Sequence, residues 1–389
     1  MKRLGYGMMR LPTTGPKEHA AVDLEQVCRL VDAFMDRGFS YFDTAYFYHE
    51  GQSEHIVRQA VAERHSRDSF LLADKMPMMH LKGKTAEDQA RIFDDQLQKC
   101  GVDYFDYYLL HCLDRNSYEA AKELDTFAFL MGKKAEGRLR HLGFSFHDRA
   151  EVLDRILTEH PEAEFVQLQL NYLDWEDGTV QSRLCYETAV RHGKKVIVME
   201  PVRGGRLASL TPEAESELHA LRPEESTAAW AFRFLQGVEG VQMILSGMTT
   251  PAQMEDNVRT FEERRPLTDQ EEKVLLDIAK GMYGAVPCTA CRYCCDGCPM
   301  GLDIPMLLKL YNEAKFSPNF NIGMRVEALP EDKRPAACVD CGQCARACPQ
   351  NIDIPAALAD LNEELKKIPR WADICRQREE AARRAREAK

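Results

Sequence analysis

Apolar residues in this chain fall into short runs separated by longer segments of mixed polarity. The short runs are rich in β-branched and aromatic residues, a pattern typical of buried strands. Eight such runs occur before residue 250. The predicted strands are Leu4–Met8, Ser40–Asp43, Phe70–Lys75, Phe105–His111, Leu139–Ser145, Phe165–Leu170, Lys195–Glu200 and Val241–Ser246.

The segments between these runs have helical periodicity or begin with a helix-capping residue. The predicted helices are Asp23–Arg37, Ser53–Arg64, Thr85–Cys100, Tyr118–Glu136, Arg149–Glu159, Val180–His192, Glu224–Gln236 and Pro251–Phe261. Eight strands that each precede a helix predict a (β/α)8 TIM barrel, an α/β fold. A doubly wound sheet is the other α/β candidate, but its nucleotide-binding form carries G-x-G-x-x-G after the first strand. The stretch from Gly5 to Arg10 lacks the third glycine.

The fourteen cysteines are unevenly distributed, since nine of them lie between Cys288 and Cys348. Eight form two C-x2-C-x2-C-x3-C-P runs, the spacing of bacterial iron–sulfur proteins in which the fourth cysteine of each run binds the other cluster. The predicted ligands of one [4Fe–4S] cluster are Cys288, Cys291, Cys294 and Cys348, and those of the second are Cys298, Cys338, Cys341 and Cys344. Cys295 has no assigned partner.

Two other uses of dense cysteine fit this chain less well. Disulfide scaffolds belong to short secreted chains, whereas this chain has 389 residues and begins without an apolar signal segment. Structural zinc is the alternative metal, but zinc modules often include histidine, and no histidine follows His219. The similar segments Leu302–Pro305 and Ile352–Pro355 follow the two runs. The whole region resembles the helical dicluster ferredoxin modules attached to redox enzymes.

These patterns predict four parts along the chain. They are a barrel at 1–265, a linker helix at 266–284, a small and mainly helical ferredoxin-like domain with two [4Fe–4S] clusters at 285–360, and a charged helical tail at 361–389. The 51 basic and 62 acidic residues give a formal charge of −11, so nucleic acid is not an expected partner. No run approaches the roughly 18 consecutive apolar residues of a membrane span. We therefore expect a cytoplasmic protein.

Several polar residues end the predicted strands, and chemistry in a TIM barrel takes place at the C-terminal strand ends. Asp43, Lys75 and His111 end the second, third and fourth strands, and Tyr48 follows shortly after Asp43. A buried lysine cation beside a phenol would lower the tyrosine pKa toward working pH. Asp43 would then orient Lys75, and Tyr48 would protonate a carbonyl oxygen as hydride arrives. His111 would hydrogen-bond to the same oxygen.

The order and spacing of several segments resemble the aldo-keto reductases over about residues 1–262. The matching segments are LGYGMMRLP, GFSYFDTAYFYHEGQSE, LLADKMP, DYYLLH, LRHLGFS, VQLQLNY, VIVMEP and TTPAQMEDNV. The resemblance places the family's catalytic tetrad on Asp43, Tyr48, Lys75 and His111, with Tyr48 as acid and base rather than the neighbouring Tyr46. The added cysteine-rich module resembles a bacterial subgroup of this family that carries ferredoxin-like domains.

The resemblance also implies a nicotinamide dinucleotide site. The expected contacts are Gly7, Met8, Ser145, Gln167, Met199, Arg203, Gly204, Gln253 and Asn257. Ser145 and Gln167 would hold the nicotinamide amide, although Phe146 replaces the next amide-binding asparagine of many members. NADH is the expected cofactor, because Gly247 and Gln253 replace the two cations that bind the 2′-phosphate in many members. NADPH stays open as an alternative.

The activity implied by the resemblance is reduction of an aldehyde or ketone. The expected substrate-facing residues are Met9, Phe47, Met76, Met78, Cys112, Tyr172 and Trp175. Two other functions stay open: an electron-transfer protein in which the clusters carry the main reaction, and a flavin-dependent enzyme. Hydride moves two electrons whereas each cluster takes one, so communication between the domains would need a carrier that divides the pair. The expected partners are a small carbonyl substrate and a one-electron donor or acceptor protein.

Overall fold

The structure is a computed structural model that describes residues 2–15, 21–81, 83–178, 180–282, 286, 288, 291–316 and 320–368. These residues form two compact units. The first contains the described residues up to Glu176 and from Val180 to Leu275, and the second contains those from Leu276 onward together with Asp177 and Gly178. The domain limits drawn from the sequence stay predictions, and the tail predicted at 361–389 lies outside the described residues beyond Ile368.

Eight parallel strands of the first unit close into a barrel in chain order, with the last strand paired to the first. They are β1 (Leu4–Gly7), β2 (Tyr41–Asp43), β3 (Leu71–Met76), β4 (Phe105–Leu113), β5 (Leu139–Phe146), β6 (Phe165–Gln169), β7 (Lys195–Met199) and β8 (Val241–Ser246). Parallel neighbours need crossover connections, and the segments with helical periodicity supply them. The predicted TIM barrel is confirmed, and no strand end differs from its predicted position by more than two residues.

Side chains fill the inside of the barrel. The large residues Tyr41, Tyr107 and Phe165 pack there against smaller apolar residues from the neighbouring strands. At Gly143 a Cβ atom would lie 2.4 Å from the Phe165 carbonyl oxygen, so only glycine allows β5 and β6 to approach this closely. A packed barrel holds the strand ends at fixed separations, and polar side chains at those ends can therefore be positioned for hydrogen bonding.

Helices connect the strands and cover the first unit. They are α1 (Leu24–Asp36), α2 (Ser53–Val57), α3 (Met78–Leu81), α4 (Ala86–Cys100), α5 (Arg115–Glu123), α6 (Thr126–Ala135), α7 (Ala150–Glu159), α8 (Ser182–Arg191), α9 (Pro212–Leu221), α10 (Thr227–Gly237), α11 (Pro251–Glu262) and α12 (Asp269–Met282). A π-helical turn, Arg58–Ala62, continues α2. Among the described helices, none combines the length and apolar character required to cross a bilayer.

The helices differ from the prediction in two places. The single helix predicted at Tyr118–Glu136 is wrong, because the chain breaks between α5 and α6 at Asp125, whose φ of 50° is left-handed. Thr126 begins α6 with its hydroxyl donating to Gln89 Oε1 of α4 at 2.6 Å, a contact that fixes the new direction. The second difference is α9, which the sequence analysis missed although Thr211 caps it and Pro212 occupies its first turn.

The second unit is mainly helical, as predicted. Its helices are α13 (Tyr293–Asp296), α14 (Ile304–Phe316), α15 (Phe320–Glu327), α16 (Gln343–Ala347) and α17 (Ile354–Lys366). Leu307 and Tyr311 of α14 and Leu358 and Leu361 of α17 belong to one buried apolar cluster with the ends of the cysteine runs. Tyr311 also donates to Asp360 Oδ2 at 2.8 Å. The two longest helices of this unit thus support the loops that carry the cysteines.

Candidate active site

Four ionisable side chains meet at the C-terminal ends of β2, β3 and β4. Asp43 ends β2, Lys75 lies in β3, His111 lies in β4, and Tyr48 follows in the turn after β2. The Lys75 ammonium group donates to Asp43 Oδ1 at 2.6 Å, to the Thr44 carbonyl oxygen at 2.6 Å and to the Tyr48 hydroxyl at 3.3 Å. An ammonium group has three donors. These partners therefore use all three hydrogens of Lys75 and fix its position.

The Lys75–Asp43 pair is buried, with 0% of the lysine side chain and 4% of the aspartate side chain exposed. Gln167 donates from Nε2 to the second oxygen, Asp43 Oδ2, at 3.1 Å. Burial by itself would lower the pKa of Lys75, but the Asp43 carboxylate and the Tyr48 hydroxyl raise it above its ordinary value. Lys75 is consequently a stable cation at neutral pH.

The electrostatics of Tyr48 differ from the prediction. Burial raises the pKa of Tyr48, and this effect outweighs the lowering by Lys75. The expectation of a tyrosine pKa near working pH is therefore wrong for this structure, and the phenol is protonated. Burial and the Lys75 charge hold the pKa of His111 well below its usual range. The rings of Tyr48 and His111 lie 6.0 Å apart, so a neutral phenol and a neutral imidazole stand beside one lysine cation.

The backbone of Lys75 is held from behind the barrel. Gln96 of α4 donates from Nε2 to the Lys75 carbonyl oxygen at 3.1 Å and to Glu54 Oε1 at 2.9 Å. Tyr108 donates to Gln96 Oε1 at 2.5 Å, which fixes the orientation of the amide. All of these side chains are buried. The network explains why the sequence around β3 carries polar residues that face away from the cavity.

The strand that carries His111 is irregular at this point. Cys112 has a left-handed φ of 56°, and the register of β4 against β5 shifts between Leu110 and Leu113. The Cys112 backbone N–H donates to Ser145 Oγ at 2.8 Å. A strained non-glycine backbone persists only where its surroundings hold it. Ser145 therefore supports the bend next to His111, a role that the sequence analysis did not foresee.

A cavity of about 650 Å³ opens above the tetrad. Seven of the nine residues expected at the dinucleotide line it: Gly7, Ser145, Gln167, Met199, Gly204, Gln253 and Asn257. Met8 and Arg203 are not among its lining residues. Met8 is fully buried, and the guanidinium of Arg203 pairs with the buried Asp174 at 3.3 Å. The expectation that these two side chains contact the dinucleotide is not met.

The expected substrate-facing residues also divide into two groups. Met9, Phe47 and Cys112 line the cavity, and Met9 and Phe47 are exposed. Met76, Met78 and Tyr172 are buried in the core, and Trp175 packs against Tyr186 and Phe234. The sequence could not separate these groups, because apolar residues after a strand serve both the core and a cavity wall.

Four further side chains line the cavity and were not singled out from the sequence: Arg10, His49, His147 and Glu200. Arg10 and Glu200 face each other across Gly204, since Arg10 Nη2 lies 3.0 Å and Glu200 Oε2 lies 3.7 Å from the position that a Gly204 Cβ would take. Gly204 has φ 69° and Gly205 has φ 99°, so this turn requires glycine. The position of Arg10 just after β1 was the available signal.

The residues around this cavity fit a nicotinamide dinucleotide. Its volume suits a cofactor of that size, a glycine turn without side chains allows close approach of a pyrophosphate, and the Arg10 guanidinium is a suitable partner for a phosphate group. Several lining amides are already engaged: Asn257 donates to Ser246 Oγ at 2.9 Å, and Gln253 Oε1 accepts from the Thr249 backbone N–H at 2.8 Å.

The second unit contains two cavities lined by cysteines, which we call site I and site II. Site I is lined by Cys288, Cys291, Cys294 and Cys348, and site II by Cys298, Cys338, Cys341 and Cys344. Each set takes three cysteines from one run and the last from the other, the division expected from the spacing. Cys295 lines neither cavity.

The spacing of these thiols distinguishes the two metal interpretations. Within the part of the chain that the structure describes, no three His, Cys, Asp or Glu side chains converge closely enough to hold a single metal ion. Structural zinc needs four ligands at about 2.0–2.3 Å from one ion. Four thiols placed around a wider cavity fit a cubane cluster, whose four irons each take one thiolate.

The fold, the cavity at the strand ends and the cysteine sites define a barrel oxidoreductase with an iron–sulfur module. The model of the aldo/keto reductase family matches residues 3–278, and that of the 4Fe-4S dicluster domain matches residues 287–352. The chain belongs to the aldo/keto reductase family. The resemblance noted in the sequence is thereby confirmed, including the attached dicluster domain.

Individual relatives are distant. Aldo-keto reductase YhdN of Bacillus subtilis is 30% identical over 132 residues, which is 31% of this chain and 39% of the relative. Aryl-alcohol dehydrogenase (NADP+) of Phanerodontia chrysosporium is 25% identical over 144 residues, 33% of this chain and 36% of the relative. The chain thus matches well under half the length of these two relatives. An aldo-keto reductase from Klebsiella pneumoniae, solved in complex with NADPH, shares the fold with a TM-score of 0.54 at 20% identity, over 71% of this chain and 90% of that chain.

Proposed function

We propose that the protein reduces an aldehyde or ketone with NADH or NADPH and that Tyr48 is the proton donor. The observation that carries this proposal is the triple hydrogen bonding of Lys75 to Asp43, Thr44 and Tyr48 beside His111, at the floor of a cofactor-sized cavity. Bound reduced nicotinamide supplies the hydride. Every acid, base and charge that the proton transfer requires is supplied by the barrel unit.

The protonation states found here suit the reducing direction. The raised pKa keeps Tyr48 protonated, so its hydroxyl can donate to a substrate carbonyl oxygen. After donation, the Lys75 cation at 3.3 Å stabilises the negative charge left on the phenol oxygen. Neutral His111 provides a ring N–H that orients the same carbonyl oxygen. Asp43 keeps Lys75 charged and in place throughout.

The dinucleotide would lie along the cavity from Ser145, Gln167 and Met199 toward Gly204. Ser145 Oγ accepts the Cys112 N–H and keeps its own O–H free to donate to an amide oxygen. Arg10 would bind a phosphate of the dinucleotide. NADH is the preferred cofactor in this proposal, because Gly247 and Gln253 offer no cation for a 2′-phosphate. The NADPH complex of the Klebsiella relative keeps NADPH as the comparison, and the ratio of kcat/KM for the two cofactors tests the preference.

Sites I and II would each hold one [4Fe–4S] cluster through four cysteine thiolates. Such clusters supply one-electron transfer when bound, and a protein that donates or accepts single electrons is the corresponding partner. This second function is favoured by a specific observation, namely two complete sets of four cysteines in the second unit. A flavin would be needed only if the two activities exchange electrons.

Tyr48→Phe tests the proposed acid. We expect the rate of carbonyl reduction to fall by roughly 10²–10⁴-fold, the usual contribution of a positioned acid, while dinucleotide binding stays near the parent value. The assay follows NADH oxidation with small aldehydes, using protein whose iron and sulfide contents match the parent. Tyr46→Phe is the matched control, because Tyr46 is two residues away and contacts Phe47 and His80 rather than Lys75. A Tyr48→Phe protein that reduces aldehydes at the parent rate would contradict the proposal.

A further inference from the structure

The two cysteine runs share one backbone conformation but differ in one residue. In each run the residue after the second cysteine precedes a short helix, α13 in the first run and α16 in the second. That residue is Arg292, with φ 68° and ψ 0°, in the first run, and Gly342, with φ 67° and ψ 5°, in the second. The same left-handed turn therefore carries an arginine at site I and a glycine at site II.

The backbone does not explain an arginine at this position. The left-handed region places Cβ close to the neighbouring carbonyl oxygen, so every residue with a side chain is strained there and glycine is not. Gly342 shows that glycine suits this turn. The side chain of Arg292 must therefore serve a purpose that its backbone conformation opposes.

The side chain of Arg292 lines site I. Its Nη1 lies 3.2 Å from Asp303 Oδ1, and the two side chains are 45% and 44% exposed. Asp303 has a counterpart in the second run, because Asp353 occupies the same place in the segment that follows and accepts the Ala356 backbone N–H at 3.2 Å, as Asp303 accepts that of Met306 at 3.4 Å. The aspartate is common to both repeats, whereas the arginine is not.

Site II has a different lining. Within the described residues, its lining consists of the cysteines, prolines and aliphatic side chains such as Met300 and Leu358, with no charged group. Arg346 is the guanidinium nearest to Gly342, with Nη1 3.4 Å from the position of a Gly342 Cβ, but Arg346 is exposed and does not line site II. Asp340 lies between two cysteines of this run and is also exposed. The cationic lining of site I thus has no equivalent at site II.

We propose that Arg292 makes the cluster at site I the more easily reduced of the two, so that an electron entering the module rests at site I. The inference depends on the two clusters of the proposed function. Reduction adds one negative charge to a cluster, and a nearby cation stabilises that charge, so the reduction potential rises. An apolar lining without such a cation leaves the site II cluster at a lower potential.

Arg292→Gly in the full-length, cluster-loaded protein tests this assignment. The substitution makes the first turn match the second and relieves strain, so the variant should bind the same iron and sulfide and melt no lower than the parent. In a redox titration followed by electron paramagnetic resonance, we expect two midpoint potentials in the parent. The higher one should fall in Arg292→Gly by about 59 mV, which is a tenfold change in a one-electron equilibrium constant, while the lower one stays unchanged.

Arg346→Gln is the matched control, since it removes an exposed arginine of the other run and should leave the higher midpoint in place. Higher ionic strength should narrow the separation of the parent midpoints, because Arg292 is half-exposed and salt screens its charge. Equal midpoints in the loaded parent, or an Arg292→Gly shift that affects the lower midpoint, both midpoints or neither, would overturn the inference while leaving the proposed function standing. A parent that cannot be loaded with two clusters would contradict the proposed cluster function and this inference with it.

Discussion

Lys75→Met removes the cation at the centre of the tetrad, and we expect both stability and activity to fall. Methionine retains a long unbranched side chain without the charge. The Asp43 carboxylate then stays buried with only the Gln167 amide as a side-chain partner. Removing one member of a buried ion pair costs about 3–5 kcal/mol, because the remaining charge is uncompensated. The rate of carbonyl reduction should fall by roughly 10²–10⁴-fold, since Tyr48 loses the group that stabilises its anion.

The double variant Asp43→Asn/Lys75→Met separates the stability effect from the catalytic one. It removes the orphaned charge, so we expect it to recover about 2 kcal/mol or more of the loss in unfolding free energy. Its activity should stay as low as that of Lys75→Met, because the lysine is still absent. Urea unfolding followed by circular dichroism gives the free energies, and aldehyde-dependent NADH oxidation gives the rates.

The pH dependence supplies an independent check on the same pair. The pKa of Lys75 is raised in the folded protein, so its contribution to stability is fully present below the unfolded pKa of about 10.4. That contribution declines as the pH rises from there toward the higher folded pKa. The difference in stability between the parent and Lys75→Met should therefore narrow above about pH 10.4. A Lys75→Met protein as stable as the parent at pH 7, or a double variant no more stable than Lys75→Met, would refute this reasoning.

Three further predictions concern other parts of the chain. Arg10→Ala should raise the Kd for the dinucleotide by roughly 10-fold or more through loss of a charged contact, measured by fluorescence titration, and an unchanged Kd would exclude Arg10 from the binding site. Ser145→Ala leaves the buried Cys112 N–H without its acceptor, so kcat should fall by roughly 10-fold in steady-state kinetics; an unchanged kcat would show that His111 is oriented without it. Cys341→Ala should remove the absorbance of at least one cluster while NADH-driven aldehyde reduction persists, and loss of that reduction from an intact barrel would mean that the clusters take part in it.

The strands were predictable from the sequence and the helix ends were less so. Each strand is a buried apolar run between polar segments, and the closed barrel imposes no other use for such a run. The break before α6 depends on Asp125 adopting a left-handed conformation, which the local sequence neither requires nor forbids. The helix α9 did have a signal, since Thr211 and Pro212 are a typical helix start.

Within the candidate site, the positions of the tetrad residues followed from the strand ends, but their electrostatics did not. Whether Tyr48 has a raised or a lowered pKa depends on the balance between burial and the Lys75 charge, and both depend on distances that no spacing in the sequence gives. Arg203 illustrates the same limit. It belongs to the glycine turn that borders the cavity, yet the buried Asp174 draws its guanidinium away from the lining.

Two side chains in this chain occupy places that local energetics oppose, and both occur at candidate redox sites. A buried ion pair such as Lys75–Asp43 is often no more stable than apolar residues of similar volume, so the stability of the barrel gives no reason to keep it. A left-handed turn is most stable with glycine, so the stability of the cysteine loop gives no reason to keep Arg292. Departures from local consistency tend to mark functional sites. The same argument therefore points to a positioned cation for proton transfer in the first unit and to a positioned cation for electron storage in the second.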